Sequence, residues 1–293
     1  MFYHAPRKGV YMRVLILGAS GQLGTELAKT FADHHLLMPS HQELDLSQAT
    51  ARAAINQLTP DLVLLPAAFT NVDGCALDPA RAFRENTLGP KYAALACRDR
   101  DIPLVYVSTN EVFSGSSQQA YSEYDQPAPI NAYGRSKWGG EQAVLHHAPN
   151  VFITRVAWLF GGQRNFVRTI ARLGRERLQT GEPLRVVTDE VGTPTHAAEA
   201  AWAIRQLVDS NLPGIYHVVN EGACSRHELA CAVLAAAGID LPVEPITSAE
   251  FSRPSSPPPF SALSNNAAAA LGIRLRRWQA AVIAAVAAID EPA

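Results

Sequence analysis

The sequence predicts an α/β protein: a doubly wound parallel sheet followed by a smaller C-terminal α/β lobe. Three observations carry that prediction. Short apolar runs alternate with stretches of helical period through the first two-thirds of the 293 residues, the pattern of βαβ units with a sheet covered on both faces. The first apolar run ends in a glycine-rich loop that opens a helix. After about residue 156 the alternation loosens into shorter elements and a proline-rich stretch.

Taken in order, residues 13–18 (RVLILG) are an apolar run closed by glycine and predict a buried first strand. Residues 22–34 follow as a helix with Leu23, Leu27 and Phe31 at i, i+4 and i+8. Residues 36–38 predict a second strand, and 47–58 a second helix with Ser47 as its N-cap. The run 61–66 (DLVLLP) is the third strand, and 78–98 a long helix opened by Asp78 as cap and Pro79 in the first turn. Residues 102–108 (IPLVYVS) form strand four, 132–146 a helix, and 151–156 (VFITRV) strand five. Beyond them, 165–177, 195–210 and 225–237 read as helices, 184–187 and 214–218 as short strands, and alanine-rich helices close the chain. Residues 253–261 (RPSSPPPFS) predict a rigid surface loop, because proline removes amide donors and fixes φ. The division that follows is a first domain over 12–156 with parts of 185–220, a second lobe over about 157–293, and an N-terminal extension over 1–11, with Met12 as an alternative start.

Composition narrows the function classes. With 25 basic and 27 acidic side chains the formal net charge is −2, which argues against a general binder of nucleic-acid polymers or anionic membranes. The longest apolar run, 280–289, is too short to cross a bilayer, which takes about twenty residues. The N-terminus lacks the apolar core of a signal peptide. Cys75, Cys97, Cys224 and Cys231 show no CxxC spacing and predict reduced, mostly buried thiols in a cytoplasmic protein. The nine histidines are scattered without metal-ligand spacing, so no metal is expected.

The loop Gly18-Ala-Ser20-Gly21-Gln22-Leu23-Gly24 is GxxGxxG between strand one and helix one. Its first glycine permits the tight turn, the second a close approach to a pyrophosphate, and the third close helix–strand packing, while the helix N-terminus offers amide donors. In this context it predicts a dinucleotide site. The cofactor is NADP(H) or NAD(H): the end of strand two carries Ser40, His41 and Glu43 and no adjacent arginine, with a slight lean to NADPH. Asp45 and Leu46 are expected against the adenine.

Tyr133-Gly-Arg-Ser-Lys137 is YxxxK on a helix, and i, i+4 spacing puts both side chains on one face. An ammonium beside a phenol lowers the phenol pKa from about 10 towards neutrality, where it can trade protons. Eight tyrosines and only four lysines in the chain make an accidental pair at this spacing rare, about 0.1 per chain. Upstream, Ser108 and Thr109 close strand four, where a hydroxyl can donate to a substrate carbonyl oxygen. Thr109, Tyr133 and Lys137 form the candidate catalytic set.

At this point the residues resemble a known family. GxxGxxG, the strand-four Ser-Thr and YxxxK are similar to the extended short-chain dehydrogenase/reductases of Rossmann type. Residues 66–73 (PAAFTNVD) resemble the AAAYTxVD segment of the dTDP-4-dehydrorhamnose reductase family, and 108–115 (STNEVFSG) its STDYVFDG. Residues 155–161 (RVAWLFG), 189–195 (DEVGTPT) and 214–217 (GIYH) are similar to its RTSWVYG, DQxGxPT and GIYH. The resemblance implies NAD(P)H-dependent reduction of the 4-keto group of a dTDP-linked 6-deoxyhexose, giving dTDP-rhamnose or a stereoisomer, with a homodimer allowed. It implies that Tyr133 protonates the oxygen and that Lys137 holds the ribose. Thr109 would orient the carbonyl, and Trp158 would pack on the sugar beside Asn110. Ala67, Ala68 and Thr70, with Ser108, would line the cofactor cleft.

The sequence also departs from the family. Asn110 stands where the family has Asp, Glu111 where it has Tyr, and Pro257 where it has Arg in a late RPxxS element that keeps Ser261. Two other readings compete. One is a non-catalytic, dinucleotide-binding regulatory subunit. The other is a nucleotide-sugar 4,6-dehydratase or epimerase, whose STDEVYG segment 108–112 also resembles, although Asn110 has no acidic proton to donate.

Overall fold

The computed structural model describes residues 11–290; the expected extension and alternative start concern a segment of which all but Tyr11 and Met12 lies outside the described residues. The apolar runs become β1 (Arg13–Ile16), β2 (His35–Leu37), β3 (Leu62–Leu65), β4 (Leu104–Thr109) and β5 (Val151–Val156). Between them lie α1 (Gln22–Thr30), α2 (Ala51–Leu58), α3 (Val72–Leu77), α4 (Pro79–Phe83), α5 (Gly89–Arg100) and α6 (Ala132–His147). The remainder runs β6 (Leu159–Phe160), α7 (Phe166–Thr180), β7 (Leu184–Val187), β8 (Val191–Gly192), β9 (Thr195–His196), α8 (Ala197–Ser210) and β10 (Gly214–His217). It closes with β11 (Cys224–Ser225), α9 (Arg226–Ala236), β12 (Val243–Ile246), α10 (Asn266–Ala270) and α11 (Trp278–Asp290).

One six-stranded sheet has the order β10-β5-β4-β3-β1-β2, and every pairing in it is parallel. Because side chains alternate across a strand, Val14 and Ile16 face α1 and α8, packing on Leu23, Leu27, Phe31 and Ile204. Leu15 and Leu17 face the other way, towards Ile55 of α2 and Ala93 and Cys97 of α5. Each strand is therefore apolar on both sides, as a doubly wound sheet requires. The order reverses between β1 and β3, and in such sheets ligands bind beyond the carboxyl ends of the strands at that reversal. A separate core joins Val167 and Ile170 of α7, Leu229 and Val233 of α9 and Val282 and Val286 of α11 over the β7–β12 pair. Cys75, Cys97 and Cys224 are buried free thiols, and Cys231 is an exposed one. No helix among the described residues is long and apolar enough to cross a membrane.

Three expectations change. Ser47 does not cap the second helix: its amide donates to Asp45 Oδ1 at 2.9 Å, closing a turn that delays the helix to Ala51, with Thr50 before it making no side-chain cap. The helix expected over 78–98 does open on Asp78, whose Oδ1 accepts from the Arg81 amide at 2.9 Å, but a π-helical turn interrupts it at Arg84–Leu88. Pro90 has no amide to continue the α-helical ladder, and the wider turn swings Asn86 inward to Phe69 and Ser136. Residues 253–261 are irregular as expected, yet they do not simply lie on the surface. Ser255 and Ser261 are buried, and the segment straps across the sheet's carboxyl end, bonding Asp73, Asn131 and Asn110.

Helix α6 is fixed to the sheet by a charge inside the core. Arg155 of β5 makes a two-pronged ion pair with Glu141 of α6, at 2.9 and 2.7 Å, and both are almost fully buried. His217 of β10 lies on the other side of the guanidinium, with Nδ1 3.0 Å from the Ser264 carbonyl. Burial first, and the Arg155 charge second, push His217 down to about 3, so it is neutral and Nε2 is free to accept from Arg155. Glu141→Gln leaves a buried guanidinium without its anion and is expected to cost about 3–5 kcal/mol of unfolding free energy. Urea denaturation followed by tryptophan fluorescence measures it; an unchanged midpoint overturns the anchoring role.

Candidate active site

A cleft of about 1110 Å³ opens at the carboxyl ends of β1, β3 and β4. Every residue expected in the site lines it. The glycine loop contributes Gly18, Ser20, Gly21, Gln22, Leu23 and Gly24, and the turn after β2 contributes Asp45 and Leu46. Ala67, Ala68 and Thr70 follow β3, Ser108, Thr109 and Asn110 close β4, Tyr133 and Lys137 project from α6, and Trp158 follows β5.

At Gly18 and Gly24 nothing larger fits. Gly18 has φ +101°, a left-handed conformation, and packs on Ala67. A Cβ on Gly24 would lie 2.0 Å from the Gly18 carbonyl oxygen. The N-terminus of α1 has Gly21 at its cap and no side chain satisfying its first amides, so these donors face the cleft with the positive end of the helix dipole. Ser108 Oγ is buried with no partner among the described residues. An unfilled amide nest and an orphaned hydroxyl in one cleft fit a dinucleotide with its diphosphate on α1.

Asn131 caps α6, its Oδ1 accepting from the Gly134 amide at 2.7 Å, and fixes where the helix begins. Tyr133 is buried and lines the cleft beside Thr109. Lys137 is buried too, but its Nζ donates to the Val107 carbonyl at 2.7 Å and sits over the Tyr106 ring. The expected effect of the ammonium on the phenol is absent: burial, and then the Glu111 carboxylate, push Tyr133 well above its ordinary value. Burial also pulls Lys137 down to about 7, against the attraction of Glu141.

The substrate side is more committed than motifs suggest. Asn110 accepts from Thr109 Oγ1 with Oδ1 and donates to Ser261 Oγ at 2.6 Å, so both its ends are used within the protein. Trp158 holds φ +43°, carries the Arg226 guanidinium 3.6 Å from its ring centroid, and packs so closely on Gly192 that a Cβ there would clash. Arg253, four positions before the missing Arg of the late motif, pairs with Asp73 at 3.0 Å and Glu190 at 3.7 Å. Glu85, Glu111 and Arg164 also line the cleft without having been singled out as site residues. Glu111 had a usable signal, since it directly follows the end of β4; Arg164 lies in an aperiodic turn of the second lobe and had none. No group of three or more histidine, cysteine or acidic side chains is arranged to hold a metal among the described residues.

Comparison with known proteins agrees with this geometry. The family model described as RmlD substrate binding domain matches residues 12–291. The chain belongs to the dTDP-4-dehydrorhamnose reductase family. It is 35% identical over 274 residues to the spore coat polysaccharide biosynthesis protein SpsK of Bacillus subtilis, covering 92% of this chain and 95% of that one. It is 36% identical over 288 residues to the dTDP-4-dehydrorhamnose reductase of Mycolicibacterium smegmatis, covering 94% and 86%. A dTDP-4-dehydrorhamnose reductase from Bacillus anthracis, solved in complex with NADP, superposes with a TM-score of 0.89 at 33% identity over 93% of this chain and 98% of that one.

The glycine loop of this reductase-family chain offers a direct test. Gly24→Ala forces a methyl group into the Gly18 carbonyl and is expected to weaken NADPH binding by about tenfold or more, or about 1.4 kcal/mol. Titration of nicotinamide fluorescence measures the affinity; wild-type affinity would remove the loop from the dinucleotide site.

Proposed function

We propose that this protein is an NAD(P)H-dependent reductase of the 4-keto group of a nucleotide-linked 6-deoxyhexose, most specifically of dTDP-4-dehydrorhamnose to dTDP-rhamnose or a stereoisomer. One observation carries the reading: Thr109, Tyr133 and Lys137 line the same cleft as the amide-rich end of α1. Family membership supplies the substrate class, a nucleotide sugar.

The bound nicotinamide supplies hydride to the carbonyl carbon. Tyr133 donates its proton to the oxygen that becomes the alcohol. A phenol pushed upward by burial stays protonated at neutral pH, which suits the acid of a reduction rather than the base of an oxidation. Thr109, beside Tyr133 in the cleft, turns its hydroxyl from Asn110 Oδ1 to the carbonyl oxygen and adds a second hydrogen bond as negative charge develops on it. Lys137 reaches into the cleft between β4 and α6 and holds the ribose hydroxyls. Its depressed value, about 7, belongs to a cation deprived of water, and hydroxyls arriving at Nζ replace part of that lost solvation. Trp158, pinned by Arg226 and Gly192, presents a rigid aromatic wall to the sugar. A dehydratase reading lacks its acid, because Asn110 has no proton to give and both its polar ends are occupied.

Two variants test the reading. Tyr133→Phe is expected to lower kcat for NADPH oxidation with a dTDP-linked 4-keto-6-deoxy sugar by about 100-fold or more, with cofactor affinity near wild type. Full activity in that variant sinks the mechanism. Lys137→Met is expected to weaken cofactor binding and turnover together, by about tenfold each; no change in either makes the lysine a structural residue. Absorbance at 340 nm reads both, and a wild-type protein that binds NADPH yet oxidises none with any dTDP-, UDP- or GDP-linked 4-keto sugar favours the regulatory-subunit reading.

A further inference from the structure

The second lobe brings one charge to the cleft that the reduction leaves without a task. Four carboxylates line the cleft, Glu43, Asp45, Glu85 and Glu111, against two strongly basic side chains, Lys137 and Arg164. Most of these are already engaged. Glu43 Oε2 accepts from the Ser40 amide and hydroxyl at 2.7 and 2.9 Å, and Asp45 accepts from the Ser47 amide at 2.9 Å. Glu85 pairs with Arg81 at 2.7 Å, Glu111 accepts from Asn131 at 2.7 Å, and Lys137 donates to the Val107 carbonyl. Arg164 is exposed and makes no ion pair among the described residues. Counted formally, the lining is acidic, which disfavours a ligand carrying a diphosphate. Arg164 stays charged across the neutral range and is available to offset it.

The loop that carries Arg164, residues 161–165 between β6 and α7, is pinned at several points. Gly161 packs on the His196 ring, where a Cβ would approach to 2.8 Å. Asn165 caps α7, its Oδ1 accepting from the Arg168 amide at 3.0 Å, and its Nδ2 donates back to the Gly162 carbonyl at 2.7 Å. The Gly162 amide in turn donates to Gln22 Oε1 at 3.3 Å, and a Cβ on Gly162 would lie 2.7 Å from Gln22 Cγ. Gln22 is the first residue of α1. A loop of the second lobe is therefore docked on the helix end whose amides face the cleft, and Arg164 stands two residues from the contact.

We propose that Arg164 binds the diphosphate of the dinucleotide from the second lobe, completing the site that the α1 amides begin, so that the bound cofactor bridges the two lobes. The inference rests on the dinucleotide site described above. A guanidinium offers paired N–H donors that match phosphate oxygens two at a time, while the helix amides take the remaining oxygens. No bond is made or broken; the arginine contributes affinity and holds the 161–165 loop on the glycine loop. The substrate's own diphosphate offers the same chemistry, but the Gly162–Gln22 contact sets this loop at the cofactor's end of the cleft. NADPH and NADH share the diphosphate, so Arg164 serves both alike.

The experiment titrates wild type, Arg164→Gln and Arg164→Lys with NADPH and NADH by nicotinamide fluorescence at low and raised NaCl, and with dTDP by calorimetry. Arg164→Gln is expected to weaken both dinucleotides alike, about tenfold, and to make the fall of NADPH affinity with salt shallower. Its affinity for dTDP is expected to stay within about twofold of wild type. Arg164→Lys keeps the charge without the paired donors and is expected to recover part of the loss. Unchanged dinucleotide affinity and salt dependence in Arg164→Gln make the arginine a solvated surface residue and overturn the proposal. A loss confined to dTDP overturns it by moving the arginine to the substrate's diphosphate, and a loss shared equally by dTDP overturns it by making the effect one of the cleft's overall field. A wild-type protein that binds neither dinucleotide overturns the dinucleotide site itself, whereas binding that ignores Arg164 leaves that site standing.

Discussion

The buried pair between Arg155 and Glu141 is the constraint on which the rest of the site depends. Two opposite charges in an apolar core are a poor source of stability, since each has lost its water. They are a strict source of position, because any shift that parts them strands a charge. Glu141 stands one turn after Lys137 and two turns after Tyr133 on α6, so seating it on Arg155 sets the rotation and height of both site residues against β4. Neutral His217 accepts on the far side of the guanidinium and extends the lock to the edge strand β10. Close contacts at small residues tighten the same interface: Gly140 sits under the Tyr106 hydroxyl and the Asn86 carbonyl, where a Cβ would clash.

The other side of the cleft is built from the opposite material. The glycine loop is small where it turns, at Gly18 and Gly24, because backbone packs against backbone there. Ala67 after β3 is small for the same reason, lying against Gly18. One cleft therefore joins a wall of small residues and free helix amides to a wall of hydroxyl, amine and carboxyl groups. The strap 253–261 is tied to the segment after β3 by Arg253 and Ser255, which both bond Asp73.

Much of this was legible in the residues. Apolar runs such as 61–66 and 102–108 become strands because only a strand buried on both faces is apolar throughout. YxxxK and GxxGxxG are local spacings, and local spacing survives folding. The errors fall where a second element decides the outcome. Ser47 has the chemistry of a cap but is drawn into a turn by Asp45. The helix from Asp78 is broken by a π turn that exists to bring Asn86 and Thr87 against α6. The prolines of 253–261 do forbid regular structure, and yet the segment's serines are buried by residues more than a hundred positions away.

The sequence by itself determined the α/β class, the dinucleotide loop and the hydroxyl–tyrosine–lysine set, because each is a matter of period or spacing within about two dozen residues. Only the tertiary structure decided the ionisation of that set and the company it keeps. Tyr133 is pushed up rather than down, since Lys137 bonds the Val107 carbonyl and the nearest charge is Glu111. Glu111 itself is an unremarkable acid in the chain and becomes a half-buried, half-anchored one only when Asn131 and Gly134 pack against it. Solvation and distance are properties of space, and no local pattern encodes them.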